Sequence, residues 1–269
     1  MWITAVLGLL IFGALAGEKL DRTHPPPLPA IIEPTADAHM LLSSALDARV
    51  SRLLHDRGPL DRSHNAKVVA LTFDDGPYPV ATPLLLDLLQ DLHVPATFFL
   101  IGNDAKLFPE ITARIERDGN EVANHTLSHP ARFDQLDAAG VQYQLEAGAE
   151  VLERYVHDPA IRTMMRPPHG RFTEKTARAV QRAGYSMILW TEDPGDWRTV
   201  PPGELARYVE LHATAPDIVL MHSGSMATIA MLPQVIARFR KAGYQFMTVG
   251  ALLQHVPTTQ LLHPYRHSI

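Results

Sequence analysis

Cysteine is absent from all 269 residues, which excludes disulfides, thiolate nucleophiles and cysteine-ligated zinc. Any metal held by this chain must therefore use histidine, aspartate or glutamate. A basic surplus is missing too. The 24 Lys and Arg are outnumbered by 29 Asp and Glu, for a formal net charge of −5, so the chain lacks the footprint of a nucleic-acid binder. Internal repeats and low-complexity blocks are also absent. The N-terminal apolar run, Trp2 to Gly17, carries no charged side chain but falls short of the roughly 20 residues that cross a bilayer.

That run ends in "ALA" at 14–16, the small-x-small pattern of a cleavage site, although no basic residue precedes it. Residues 1–17 are expected to be a cleaved signal peptide or, if uncleaved, a membrane anchor; a buried core helix is the third reading. The first two export the protein to a periplasmic, secreted or membrane-anchored location, and membrane association enters only through this segment. Residues 18–64 combine a proline-stiffened spacer, "HPPPLPAIIEP", with a stripe of Leu41, Leu42, Leu46, Val50, Leu53 and Leu54, which predicts an amphipathic helix over 36–57.

What is present is an ordinary globular balance, 46% hydrophobic and 20% charged, in a length suited to one large α/β domain or two small ones. Strand-like apolar runs fall at 67–73, 96–102, 120–124, 161–166, 185–191, 217–222 and 244–248. Helix-like stretches separate them, with Gly119, Gly184 and Gly243 where helices should stop. Repeated strand–helix units imply parallel strands with right-handed crossovers. The fold expected is α/β, a distorted, incomplete TIM-like (β/α)7 barrel, with a doubly wound open sheet as the competing arrangement.

Five polar clusters, "DDGP", "NHTLSHP", "RPPHGR", "EDPGDWR" and "MHSG", all follow predicted strands. This is the carboxyl end, where parallel α/β enzymes collect their active sites. His125 and His129 are four apart, so one helical turn would aim both rings at one point. With Asp75 they form a His₂-carboxylate set that leaves coordination positions open, as in catalytic metal sites. Asp74 is then free to act as general base; the plainer alternative makes one of the two aspartates a helix N-cap. Arg166 could pair with Asp74 and keep it ionised. After Pro167 and Pro168, the amide of His169 or Gly170 could face an oxyanion. Asp196 could orient the imidazole of His222, making His222 a general acid, while Trp197 walls the pocket or anchors a surface turn.

"TFDDGP", "HTLSH", "RPPHG", "DW" and "LMH", in this order, resemble the polysaccharide deacetylases, the NodB-like domains of carbohydrate esterase family 4. The resemblance covers about 65–255, including "LPQVIARFRKAGYQFMTV", and leaves 256–269 as a C-terminal tail. It implies metal-dependent removal of N- or O-acetyl groups from an acetylated glycan, usually with zinc, though other divalent ions serve. The roles it implies are Asp74 as catalytic base, Asp75, His125 and His129 as metal ligands, and Arg166 as the residue orienting the base. Asp196 tunes His222, the general acid, and Leu220 and Trp197 wall the acetyl pocket. Three positions depart from the family pattern: His169 where Tyr or Phe is usual, Ser223 where Asp often follows the histidine, and the prolines of "EDPGDWRTVPP". None removes a ligand or catalytic group. A small-amide amidase and a silent glycan-binding module are the alternative functions.

Overall fold

The computed structural model describes residues 67–198, 201–212 and 216–255; the N-terminal segment, the helix expected over 36–57 and the tail from 256 lie outside them. β1 (Val68–Asp74) is buried along its entire length, as a strand covered on both faces must be. Its β-branched and aromatic residues suit that environment. After it come α1 (Ala81–Asp91), β2 (Thr97–Leu100), α2 (Gly102–Leu107), α3 (Pro109–Arg117), β3 (Glu121–Asn124), α4 (Ala138–Leu152), β4 (Met164–Met165) and α5 (Glu174–Arg182). The chain continues through β5 (Ser186–Met187), α6 (Pro202–His212), β6 (Asp217–His222), α7 (Met226–Lys241), β7 (Gln245–Phe246) and α8 (Val249–His255).

The helix ends follow local chemistry. Asp137 caps α4 by accepting from the Gly140 amide, and Ser225 caps α7 by accepting from the Thr228 amide. Thr173 and Thr176 close a capping box on α5. Gly119, Gly184 and Gly243 follow α3, α5 and α7 with φ of 86, 89 and 82, as their positions in the sequence predicted. Two helices, not one, connect β2 to β3, because Pro109 starts a new helix at its first position.

Among the described residues seven strands form one parallel sheet, six in the order β5-β4-β3-β2-β1-β6 and β7 paired with β1 off that path. Val69 pairs with both Asp217 of β6 and Phe246 of β7. β7 therefore lies on the edge of β1 opposite β6, the same edge that β2 takes up from Thr72 onward. Beyond β5 the chain swings across to β6: Thr191 N donates to the Ile218 carbonyl (2.9 Å) and Leu220 N to that of Glu192 (2.8 Å). Glu192 and Val219 make an isolated parallel bridge there. The ring thus closes through one bridge rather than a full ladder, which is the incomplete (β/α)7 barrel and not the open sheet.

Alternation along β1 sorts the core into two layers. Val69, Leu71 and Phe73 point outward and pack with Leu85, Leu86 and Leu89 of α1. Val68 and Ala70 point inward, in one cluster with Phe99, Ala123 and Ile218. At the amino end of the barrel the Gly250 amide, in the first turn of α8, donates to Glu121 Oε1 and Oε2 (3.1 and 3.0 Å). That leaves the carboxyl end for chemistry.

Candidate active site

Thr72 and Asp74 continue the inward face of β1, and their partners in register on β6 are Leu220 and His222. Parallel neighbours in register share a face, so all four point into the barrel near its carboxyl end. Arg166, just beyond β4, crosses the interior to meet them and is fully buried. Its Nη1 donates to Asp74 Oδ1 at 2.6 Å and to Thr72 Oγ1 at 2.8 Å, its Nε to the Ile188 carbonyl and its Nη2 to that of Leu189. The guanidinium also lies 4.1 Å from the centre of the Phe99 ring. Burial pushes the Asp74 carboxyl above its ordinary value, and the Arg166 and His222 charges pull it back.

Asp75 Oδ1 stands 3.6 Å from His125 Nε2 and 3.5 Å from His129 Nε2. Metal–ligand bonds of about 2.0–2.2 Å at tetrahedral angles put ligand atoms about 3.3–3.6 Å apart, so the donor set fits one transition-metal cation. His125 Nδ1 donates to the Arg166 carbonyl at 2.9 Å, which leaves Nε2 with its lone pair free for the metal. Burial lowers the pKa of His125 to about 3, so the ring is the neutral species that ligates. Among the described residues, Asp75, His125 and His129 offer three donor atoms all within 4.8 Å of one another.

The histidine pair does not sit on a helical turn, contrary to the expectation from its spacing. β3 ends at Asn124, and residues 125–129 form a loop in which Thr126 and His129 have φ of 71 and 48. The loop is pinned from both sides: the Gly102 and Asn103 amides donate to the Thr126 and Leu127 carbonyls, and Leu127 N donates to that of Gln144 on α4. Gly148 on α4 permits this approach, since a Cβ there would meet backbone atoms of Thr126 and Leu127 at 3.0 Å. Of the five described non-glycine residues with positive φ, four are Asp75, Thr126, His129 and His169. Such conformations cost of order 1–3 kcal/mol each and persist where the surroundings over-determine them. The strain is concentrated at the site.

His222 Nδ1 donates to Asp196 Oδ1 at 2.7 Å, and its amide donates to Oδ2 at 2.8 Å. Burial alone would lower the pKa of this imidazole. The hydrogen bond to Asp196, then the charges of Asp196, Asp74 and Asp75, outweigh burial and raise it to about 9. Asp193 shapes the presenting loop by accepting from the Gly195 amide at 2.8 Å, a turn that accommodates Pro194.

Neither aspartate caps a helix: α1 begins after Val80 with no side-chain cap. The Gly170 amide is engaged by the Pro167 carbonyl at 2.9 Å, so of the two candidate oxyanion donors the His169 amide is the one to keep. The His169 ring packs edge-on against His129, 4.6 Å between centres, and burial followed by the His129 and Arg171 charges lowers its pKa. Leu220 is buried, whereas Trp197 is 53% exposed and stacks on the Arg198 guanidinium.

Sequence reasoning passed over Thr72, whose place two residues before Asp74 was the available signal. It also passed over Thr228, whose hydroxyl donates to Asp196 Oδ2, and marked Ser223 only as a departure from the family pattern, not for its hydroxyl, which donates to the Asp75 carbonyl at 3.1 Å. Nothing in spacing alone marks these two.

The family model described as polysaccharide deacetylase matches residues 61–188. A peptidoglycan-N-acetylglucosamine deacetylase from Bacillus cereus is 34% identical over 197 residues, covering 71% of this chain and 91% of the relative. A chitooligosaccharide deacetylase from Azorhizobium caulinodans is 31% identical over 198 residues, covering 74% and 90%. Among solved structures, a CE4-family pseudoenzyme from Bacillus anthracis superposes with a TM-score of 0.66 at 27% identity, covering 71% of this chain and 66% of that one.

Proposed function

We propose, from the premise that this chain belongs to the polysaccharide deacetylase family, that it hydrolyses N-acetyl groups of a glycan outside the cytoplasm, with a divalent cation, zinc by preference, held by Asp75, His125 and His129. The observation that carries this reading is a buried carboxylate and an imidazole at matching register, each held by a charged partner: Asp74 on β1, held by Arg166, and His222 on β6, held by Asp196.

Held by Asp75, His125 and His129, the cation would supply Lewis acidity to the site. Asp74 Oδ1 is taken by Arg166, while Oδ2 lies 3.8 Å from His125 Nε2 and faces the metal set. This oxygen takes the proton from water as the carbonyl is attacked. The His169 amide stabilises the charge that grows on the carbonyl oxygen. The proton on His222 Nε2 passes to the departing nitrogen, releasing acetate and a free amine. Leu220 and Trp197 wall the acetyl methyl. The relatives named above act on peptidoglycan N-acetylglucosamine and on chitooligosaccharide, which favours N- over O-deacetylation. Peptidoglycan lies outside the cytoplasm, which agrees with an exported chain.

The experiment is acetate release from peptidoglycan, chitooligosaccharides, acetylxylan and small non-sugar amides. Release from an N-acetylated glycan is expected. Release from small amides alone would make the protein an amidase. Binding without any release would make it a silent glycan module, a reading the structural kinship to a pseudoenzyme makes worth testing.

The pH profile tests the acid. His222 must carry its proton, so activity falls as pH rises through its pKa. Asp196→Asn removes the charge that opposes burial, so the pKa falls and the alkaline limb of kcat/KM moves to lower pH. An alkaline limb unmoved in this variant would remove His222 from the acid role.

A further inference from the structure

We infer that Tyr78 is a stacking platform at the mouth of the site, seating a pyranose ring of the glycan beside the residue being deacetylated. The inference rests on the glycan reading above. Tyr78 follows Asp75 by three residues and leaves 39% of its surface exposed. Its backbone is fixed at both ends: the amide donates to Thr82 Oγ1 at 2.8 Å and the carbonyl accepts from Thr82 N at 3.2 Å.

The ring is fixed as well. A Cβ on Gly224 would fall 2.7 to 3.1 Å from Tyr78 Cε2, Cδ2 and Cζ, and one on Gly76 would fall 3.1 Å from Cδ2. At Gly224 a Cβ would collide with the ring and at Gly76 it would crowd the ring's edge, so the ring lies directly against main chain. Those two glycines belong to the turns that carry Asp75 and His222, and the Ser223 hydroxyl ties the turns together through the Asp75 carbonyl. The platform is therefore built into the catalytic end of the barrel and not draped near it.

A large, immobilised, half-exposed aromatic costs a ligand little ordering entropy, which is why such residues serve as anchors. Burial, then the charges of Asp75 and Asp104, raise the phenol above its ordinary value. Near neutral pH it is an uncharged face with a hydroxyl at its rim. A sugar ring matches that chemistry, with C–H groups for the face and hydroxyls for the rim.

The test compares wild type, Tyr78→Ala and Tyr78→Phe on N-acetylglucosamine oligomers of increasing length and on nitrophenyl acetate, with zinc content measured alongside. Tyr78→Ala should raise KM on the longer oligomers about tenfold, the value of one good stacking contact, with kcat, the small-ester rate and zinc unchanged. Tyr78→Phe should restore KM. Equal KM for the alanine variant and wild type at every length overturns the platform while leaving the glycan reading intact. A parallel loss on the small ester, or of zinc, also overturns it, because the ring would then be structural. Wild type that releases no acetate from any oligomer and binds none removes the glycan reading and the platform with it.

Discussion

Asp75→Asn is expected to empty the metal site and abolish acetate release without unfolding the protein. A neutral amide is a much weaker ligand for a divalent cation than a carboxylate, and Asp75 is the one carboxylate in the set. Changes to groups that merely orient a ligand already cost about 10–100-fold in metal affinity, so losing a ligand should cost at least about 100-fold. The substitution is clean for a structural reason. Asp75 sits at φ 66, a region where asparagine is as much at home as aspartate. Its side chain is only part-buried and its carbonyl still accepts from Ser223. His125→Ala would be a poorer probe, because that ring is buried and bonded to the Arg166 carbonyl. Elemental analysis should read about one zinc per chain in wild type, by the one-site geometry, and near none in Asp75→Asn, with unchanged circular dichroism. An Asp75→Asn protein that keeps both zinc and activity would place the metal elsewhere.

Much of this site could be read from the chain because parallel α/β folds sort polarity by strand end. The runs 67–73, 120–124 and 217–222 are strands in the structure, which end at Asp74, Asn124 and His222, and the clusters after them converge because every strand points the same way. Arg166 meeting Asp74, and Asp196 meeting His222, followed from charge complementarity at that end. What could not be read depends on backbone geometry. A spacing of four suits a helical turn, yet His125 and His129 converge through a loop with two positive-φ residues, stabilised by contacts with α2 and α4 distant in sequence. Thr72 looked like one more β-former in an apolar run; only the fold, which brings Arg166 and the Val219 carbonyl of β6 to it, gives its hydroxyl partners. Tyr78 carries no signal in the sequence; only the fold sets Gly224, 146 positions on in the chain, beneath its ring.

Asp74→Asn should keep its metal and lose about 10²–10⁴ in kcat, the range for a general base. The amide is isosteric and its oxygen can still accept from Arg166, so the buried guanidinium keeps its hydrogen bonds but loses its counter-charge, at a cost in stability. Substrate affinity should change little, since the lost interaction belongs to the transition state. Arg166 separates the charge from the base. Arg166→Met would strand Asp74 as a buried carboxylate, at a cost of about 3–5 kcal/mol if it stays ionised. The carboxyl escapes by taking a proton. Burial already raises its pKa and Arg166 is the strongest force opposing that, so removing the arginine moves it further up. The acid limb of the pH–rate profile should therefore shift to higher pH. In the double variant Asp74→Asn with Arg166→Met no carboxylate remains to strand, so its denaturant midpoint should exceed that of Arg166→Met alone. If Asp74→Asn sheds zinc while Asp75→Asn retains metal and rate, the two aspartates have exchanged roles. If both variants turn over at the wild-type rate, the pair at 74 and 75 is not where the chemistry occurs.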